Sequence, residues 1–191
     1  MNRRTYLGGC LAAVASVAGC TGGGDGMTST PPSSTPTPQS DGTLQFGEWG
    51  RVTEQTATRP TDVRSTDRVV FRHPYDDVVW EATDGRQFLL VQVERRITDA
   101  PDDELVAYPD AFGYRVAAGG DTYEPRPGPD ETNALTEPLR GGYAREGSSS
   151  KGAEGSAATN WLGFDVPADV APGDVELRYV RDDGDPLVWQ Q

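Results

Sequence analysis

Leu89, Val91, Val93 and Ile97 fall on one side of an extended segment, with Gln92, Glu94 and Arg96 on the other. Successive side chains of a strand point to opposite faces, so this alternation predicts a half-buried β-strand. Phe112, Tyr114 and Val116 repeat the pattern against Gly113, Arg115 and Ala117, and Val175, Leu177 and Tyr179 repeat it against Glu176, Arg178 and Val180. Between the second of these strands and Thr122-Tyr123 lies Ala118-Gly119-Gly120-Asp121, which has hairpin-turn chemistry. Further short apolar segments run over 44–52, 68–72, 78–82, 157–166 and 186–190. Prolines and glycines interrupt the chain too often for long helices. About eight short strands separated by turn signals predict an all-β fold of two antiparallel sheets packed as a sandwich, with a small β-barrel as the alternative. No internal repeat is visible.

The N-terminus follows a different pattern. Arg3 and Arg4 precede an apolar run of small residues from Leu7 to Ala18. That run is about a dozen residues against the ~20 that a spanning helix needs, so 1–19 reads as a secretory signal and not as a membrane anchor. Arg3-Arg4-Thr5-Tyr6-Leu7 resembles a twin-arginine export signal. Val17-Ala18-Gly19-Cys20 resembles the lipobox of prokaryotic lipoproteins, in which cleavage leaves the cysteine as a lipid-bearing N-terminus. Cys10 and Cys20 are the only cysteines, so removal of 1–19 leaves Cys20 with no disulfide partner within the chain. Residues 20–42 are rich in Gly, Ser, Thr and Pro and read as a stalk. As a flexible coil such a segment spans roughly 25 Å root-mean-square. The remaining segment, 43–191, has the size of one ordinary domain.

The order of strands in 43–191 carries a second resemblance. Trp49 lies in an early strand, and a long strand follows over 88–97. Next come Phe112-Gly113-Tyr114-Arg115-Val116 and the glycine turn. After a polar, glycine-rich stretch come Trp161-Leu162-Gly163-Phe164-Asp165-Val166-Pro167 and the closing Val175-Glu176-Leu177-Arg178-Tyr179. This arrangement resembles the immunoglobulin-like extracellular domain of many prokaryotic lipoproteins. The resemblance implies an immunoglobulin-like antiparallel β-sandwich and brings no catalytic residues with it. The chain departs from that family at Glu94-Arg95-Arg96-Ile97-Thr98-Asp99, where Thr and Asn are usual.

Charge narrows the function classes. The chain has 17 Lys and Arg against 30 Asp and Glu, a net −13. Loss of Arg3 and Arg4 with the signal lowers the bases to 15 and the net charge to −15. Lys151 is the only lysine. Dispersed acidity with so little lysine resembles proteins of salt-loving archaea. Carboxylates hold water and cations in concentrated brine, and at ~1 M salt a Debye length of about 3 Å screens their mutual repulsion. Such a halophilic, acidic protein repels phosphate backbones, which argues against nucleic acid as a partner.

The candidate chemistry is sparse. His73 is the only histidine and sits in Arg72-His73-Pro74-Tyr75-Asp76-Asp77, a turn-like connection. One histidine and no free thiol beyond Cys20 make a poor zinc site and exclude a blue-copper centre, so no metal and no cofactor is expected. Asp76-Asp77, Asp102-Asp103-Glu104 and Asp182-Asp183-Gly184-Asp185 fit no EF-hand spacing, and they read as solvated loops with weak, unselective cation binding. Ser148-Ser149-Ser150-Lys151 matches the Ser-x-x-Lys of penicillin-recognising enzymes, but it lacks their helix start and companion motifs. Trp49, Trp80, Trp161 and Trp189 could form a sugar platform, although sandwich cores are the commoner place for such residues.

The sequence therefore predicts a lipid-anchored, extracellular, non-enzymatic binding module on the outer face of the cytoplasmic membrane. Its contacts would be membrane lipid through Cys20 and a cell-surface protein or glycan through polar loops at 99–104, 125–133 and 141–155. A carboxylate-only extracellular hydrolase and a structural envelope component are the alternatives. Cys20→Ser should release the protein from membranes washed in high salt, because no other segment is expected to hold lipid. Retention of that variant in the membrane fraction would refute the lipid anchor.

Overall fold

The computed structural model describes residues 42–102, 104–129, 134–136, 139, 141–144, 150–181 and 184–191. Arg3, Arg4, Cys20 and the stalk up to residue 41 lie outside them, as do Asp103, Asp182, Asp183, Ser148 and Ser149. The described chain begins with β1 (Thr43–Gln45), β2 (Gly50–Arg51), β3 (Thr56–Thr66), β4 (Arg68–Phe71), β5 (Val78–Glu81) and β6 (Arg86–Ile97). It continues through β7 (Val106–Ala107), β8 (Tyr114–Ala118), β9 (Asp121–Tyr123), β10 (Pro125–Arg126), β11 (Ala134–Leu135) and β12 (Gly141–Tyr143). The last strands are β13 (Lys151–Gly152), β14 (Ala157–Pro167), β15 (Glu176–Val180) and β16 (Pro186–Gln190).

These strands form two main sheets. The smaller has the order β1-β16-β15-β8-β9, and the larger runs β2-β3-β6-β14-β12-β11-β4-β5 with β10 also on β14. A two-stranded piece, β13-β7, stands beside them. Leu89, Val91 and Val93 on β6 and Leu162, Phe164 and Val166 on β14 face inward from the larger sheet. Opposite them the smaller sheet supplies Tyr114, Val116, Leu177, Leu187 and Trp189. Each such side chain contributes roughly 1.5–3 kcal/mol on full burial. The fold is thus an all-β sandwich, as the alternation predicts, and neither sheet closes into a barrel.

The hairpin between β8 and β9 also forms where expected. Ala118 pairs with Asp121, and both intervening glycines, Gly119 and Gly120, take positive φ (60° and 92°). That is the conformation a two-residue type I′ turn demands and one that glycine adopts without a Cβ penalty.

Several expectations need correction. The segment 44–52 is not one strand. The chain leaves the smaller sheet after Gln45, turns at Gly47 (φ 90°) and enters the larger sheet at Gly50. Phe112 belongs to a 3₁₀ turn, Ala111–Gly113, whose first turn is capped by Asp110 accepting from the Phe112 N–H at 3.0 Å. β3 was not anticipated, since Thr56–Thr66 is polar and holds Pro60. It forms because β6 pairs with it along nearly its whole length, and its register shifts between Pro60 and Asp62. A bulge of that kind is where a strand accommodates a missing N–H donor. The pairing is not purely antiparallel either, because β1 runs parallel to β16 and β12 parallel to β14.

A second core lies on the outer face of the larger sheet. Phe88, Leu90 and Trp161 point outward and are covered by Val69, Phe71, Leu135 and Tyr143, with Trp80 packed against them. Phe71 meets Trp80 and Tyr143 edge-to-face at 4.6 and 5.1 Å. Tyr143 donates its hydroxyl to the Arg126 carbonyl at 2.9 Å and lies across Gly163, where an added Cβ would come 2.2 Å from the phenol oxygen. Gly163→Ala must therefore displace a buried ring or the strand beneath it. The variant should lose about 1–3 kcal/mol of stability, and an unchanged urea midpoint would contradict this packing.

Candidate functional site

β6 ends at Ile97, and the chain then runs through 98–105 to β7, which pairs antiparallel with β13. The Gly155 N–H donates to the Ile97 carbonyl and the Ile97 N–H to the Ser156 carbonyl, both at 3.0 Å. The end of β6 and the turn at 155–156 are thereby joined at one end of the sandwich. An open cavity of about 420 Å³ there is lined by Ala100, Pro101 and Ala153 together with the carboxylates of Asp102, Glu104 and Glu154, all of them exposed except the half-buried Ala100. Leu105, also in its lining, is one of the few large apolar side chains exposed to solvent.

Behind this end the core is polar. Arg95 is buried and donates to the Pro109 carbonyl at 2.8 Å and to the Asn160 side-chain oxygen. Its guanidinium carbon lies 5.6 Å from the Tyr108 ring centroid. These contacts tie 105–110 to the sheet. Beside them Thr58 Oγ1 donates to the Glu94 carbonyl at 3.1 Å, so the Tyr114 hydroxyl, 2.7 Å away, must donate to Thr58. Burial pushes the Tyr114 phenol well above the ordinary tyrosine range. The pair is a protonated hydrogen-bonded clip between the two sheets.

The opposite end holds a cavity of about 290 Å³ near the β8–β9 turn, lined by Asp121, Tyr123, Asp169, Val170 and Asp174 among others. Adjoining it, Glu176 accepts from the Gln190 amide at 2.9 Å and from Arg178 Nε at 2.6 Å. These two hydrogen bonds hold its carboxyl below its usual range.

The remaining sequence candidates separate into different places. His73 stays in the 72–77 turn, where its Nδ1 accepts from the Tyr75 N–H at 3.4 Å. Asp76 and Asp77 are exposed nearby. Among the described residues, no three or more His, Cys, Asp or Glu side chains gather as a metal site, and no helix is long and apolar enough to cross a membrane. Trp161 and Trp189 are buried in the two cores, Trp80 is half-buried against the second, and Trp49 is covered by Arg59 and Arg96 on the outer face of the larger sheet, so the four do not form one sugar platform. Two of the three loops expected to make contacts are partly sheet. Pro125 and Arg126 pair with β14, and 141–155 contains β12 and β13 with Tyr143 almost fully buried. Glycines around Tyr143 masked it as a core residue, although a lone aromatic in a polar stretch was the available signal.

No protein-family model matches the sequence, and no curated protein matches it. Two solved structures are similar in shape. One is a putative lipoprotein of Bacillus subtilis, at 14% identity and a TM-score of 0.43, covering 73% of this chain and 37% of that one. The other is an uncharacterized β-sandwich protein of Clostridium difficile, at 14% identity and a TM-score of 0.46, covering 81% of this chain and 96% of that one. This chain thus spans little more than a third of the Bacillus protein. The assignment of the fold rests on the strand pairing above.

The Thr58–Tyr114 clip gives a thermodynamic test. Thr58→Val strands a buried phenol and should cost about 1–3 kcal/mol. The double variant Thr58→Val/Tyr114→Phe removes both hydroxyls and should recover most of that loss. A double variant as unstable as the sum of the singles would show that the two groups act independently.

Proposed function

We propose that this chain is a membrane-tethered extracellular binding module that does not turn over what it binds. In this reading Arg3 and Arg4 direct twin-arginine export and cleavage removes 1–19. Cys20 then carries the lipid, and 20–42 lifts an immunoglobulin-like domain, 43–191, off the outer face of the cytoplasmic membrane. The acidic surface suits a salt-rich exterior. One observation carries the binding assignment: loops about fifty residues apart in sequence, 98–105 and 153–155, converge on a single cavity at one end of the sandwich. Its volume falls in the ~300–1,000 Å³ range of ligand sites, and its exposed lining, which mixes Ala100, Pro101, Leu105 and Ala153 with three carboxylates, suits contact with a protein or glycan more than bond cleavage.

The absence of any cysteine after Cys20 makes site-directed cross-linking clean. Leu105→Cys and Val79→Cys, both at exposed positions but on different parts of the fold, would each carry a thiol-linked photo-cross-linker in intact membranes. A discrete adduct is expected from position 105 and not from position 79. Equal adducts from both positions, or none from 105, would sink the assignment of this end as the contact surface.

A further inference from the structure

The outer face of the larger sheet is covered at Phe88 and Leu90 by the second core and is open from Gln92 to Arg96. Register places Arg59 beside Glu94, Asp62 beside Gln92, Arg64 beside Leu90, and Arg51 and Arg96 on either side of Ala57. This open face therefore gathers Arg51, Arg59, Arg64 and Arg96 against the acids Asp62 and Glu94, whereas the whole chain has 17 bases to 30 acids. Glu94 is engaged by Arg59 at 2.9 and 2.7 Å, and Asp62 by Arg64 at 2.8 Å. Arg51 and Arg96 have no ion pair among the described residues. Glu48, next to Trp49, turns its carboxylate back to the Gln45 N–H at 2.7 Å, and Glu54 sits in the turn between β2 and β3.

Trp49 orders this cluster. The Arg59 and Arg96 guanidinium carbons lie 4.6 and 4.2 Å from its ring centroid, so they are within 8.8 Å of one another, the sum of the two. Arg59 commits its Nε and Nη2 edge to Glu94, whereas Arg96 has no ion pair among the described residues and keeps a guanidinium edge for an outside acceptor. That edge matches the two oxygens of a carboxylate or sulfate.

We propose that Arg51 and Arg96, on the sheet face beside Trp49, bind a linear anionic polymer bearing carboxylate or sulfate groups, with Arg59 bracing Trp49 and Glu94 between them. A narrow chain can lie on this face alone. A planar anionic bilayer would meet the field of the entire domain, which is strongly negative, and Trp49 is too buried to insert between lipids. The face lies on the sheet surface, so this inference stands apart from the loop-end contact proposed above.

The test uses the full chain, immobilised, at ~0.15 M salt, where the Debye length is about 8 Å. Alginate and dextran sulfate should bind and neutral dextran should not. Arg51→Ser/Arg96→Ser should weaken binding at least ten-fold, while Arg68→Ser, on exposed β4 backbone away from the face, should leave it unchanged. Arg51→Ser alone keeps Trp49 covered and should weaken binding about three-fold, which preserves the test if the double variant does not fold. Binding to neutral dextran, an undiminished affinity in the Arg51 variants, equal weakening by Arg68→Ser, or tighter binding to phosphatidylglycerol vesicles would each overturn the proposal. So would a failure to bind either anionic polymer.

Discussion

Burial of β6 on both faces is the constraint from which the rest of the molecule follows. From Phe88 to Val91 its side chains are buried on both sides of the sheet, with Leu89 and Val91 turned to the main core and Phe88 and Leu90 to the second core. Its backbone is paired along its length by β3 on one side and β14 on the other. A strand in that position needs partners on four sides. The smaller sheet supplies one, and the curl of β12, β11, β4 and β5 supplies the opposite one. No disulfide is needed because the two cores share this strand, and loosening either exposes apolar surface in both.

Legibility in the sequence tracked the number of faces a strand buries. β8 and β15 bury one face and read as clean alternation, and the glycine pair between β8 and β9 marked its turn at the right residues. β6 was legible as a strand but only half as an environment, because the run Phe88-Leu89-Leu90-Val91 is continuous and alternation recorded one face of it. β3 was invisible: its inward positions are Thr56, Thr58 and Pro60 before the bulge and Val63 and Ser65 after it, so Val63 is the one large aliphatic among them and the bulge breaks the alternation. The candidate site was less legible still. Polarity nominated three loops, yet strand pairing absorbed much of two of them, and it was the β7–β13 pairing that brought 98–105 and 153–155 together. Two-residue strands leave almost no pattern to read.

The near-absence of lysine, read from composition as an accommodation to salt, has a local counterpart in the fold. Arginines lie over aromatic rings: Arg126 over Trp80 at 4.2 Å, Arg96 and Arg59 over Trp49, and Arg95 near Tyr108. A lysine at those positions would bring a compact, strongly hydrated charge that neither stacks nor forks between two acceptors. Arg95 makes the point most clearly. Buried with no carboxylate partner among the described residues, it is tolerated because its planar head reaches two oxygens on different elements.

Such use of arginine changes what the acidic composition means. Repulsion among 30 carboxylates is a property of the whole surface, and screening by salt weakens it everywhere at once. A guanidinium held over tryptophan depends less on that screening than an exposed charge pair does, because packing and desolvation contribute to its position. Recognition built on that geometry loses long-range steering as salt rises but retains directional hydrogen bonds. For a domain this acidic, an ordered arginine face is therefore the part of the surface best able to select an anionic partner at short range while the remainder keeps other anions away.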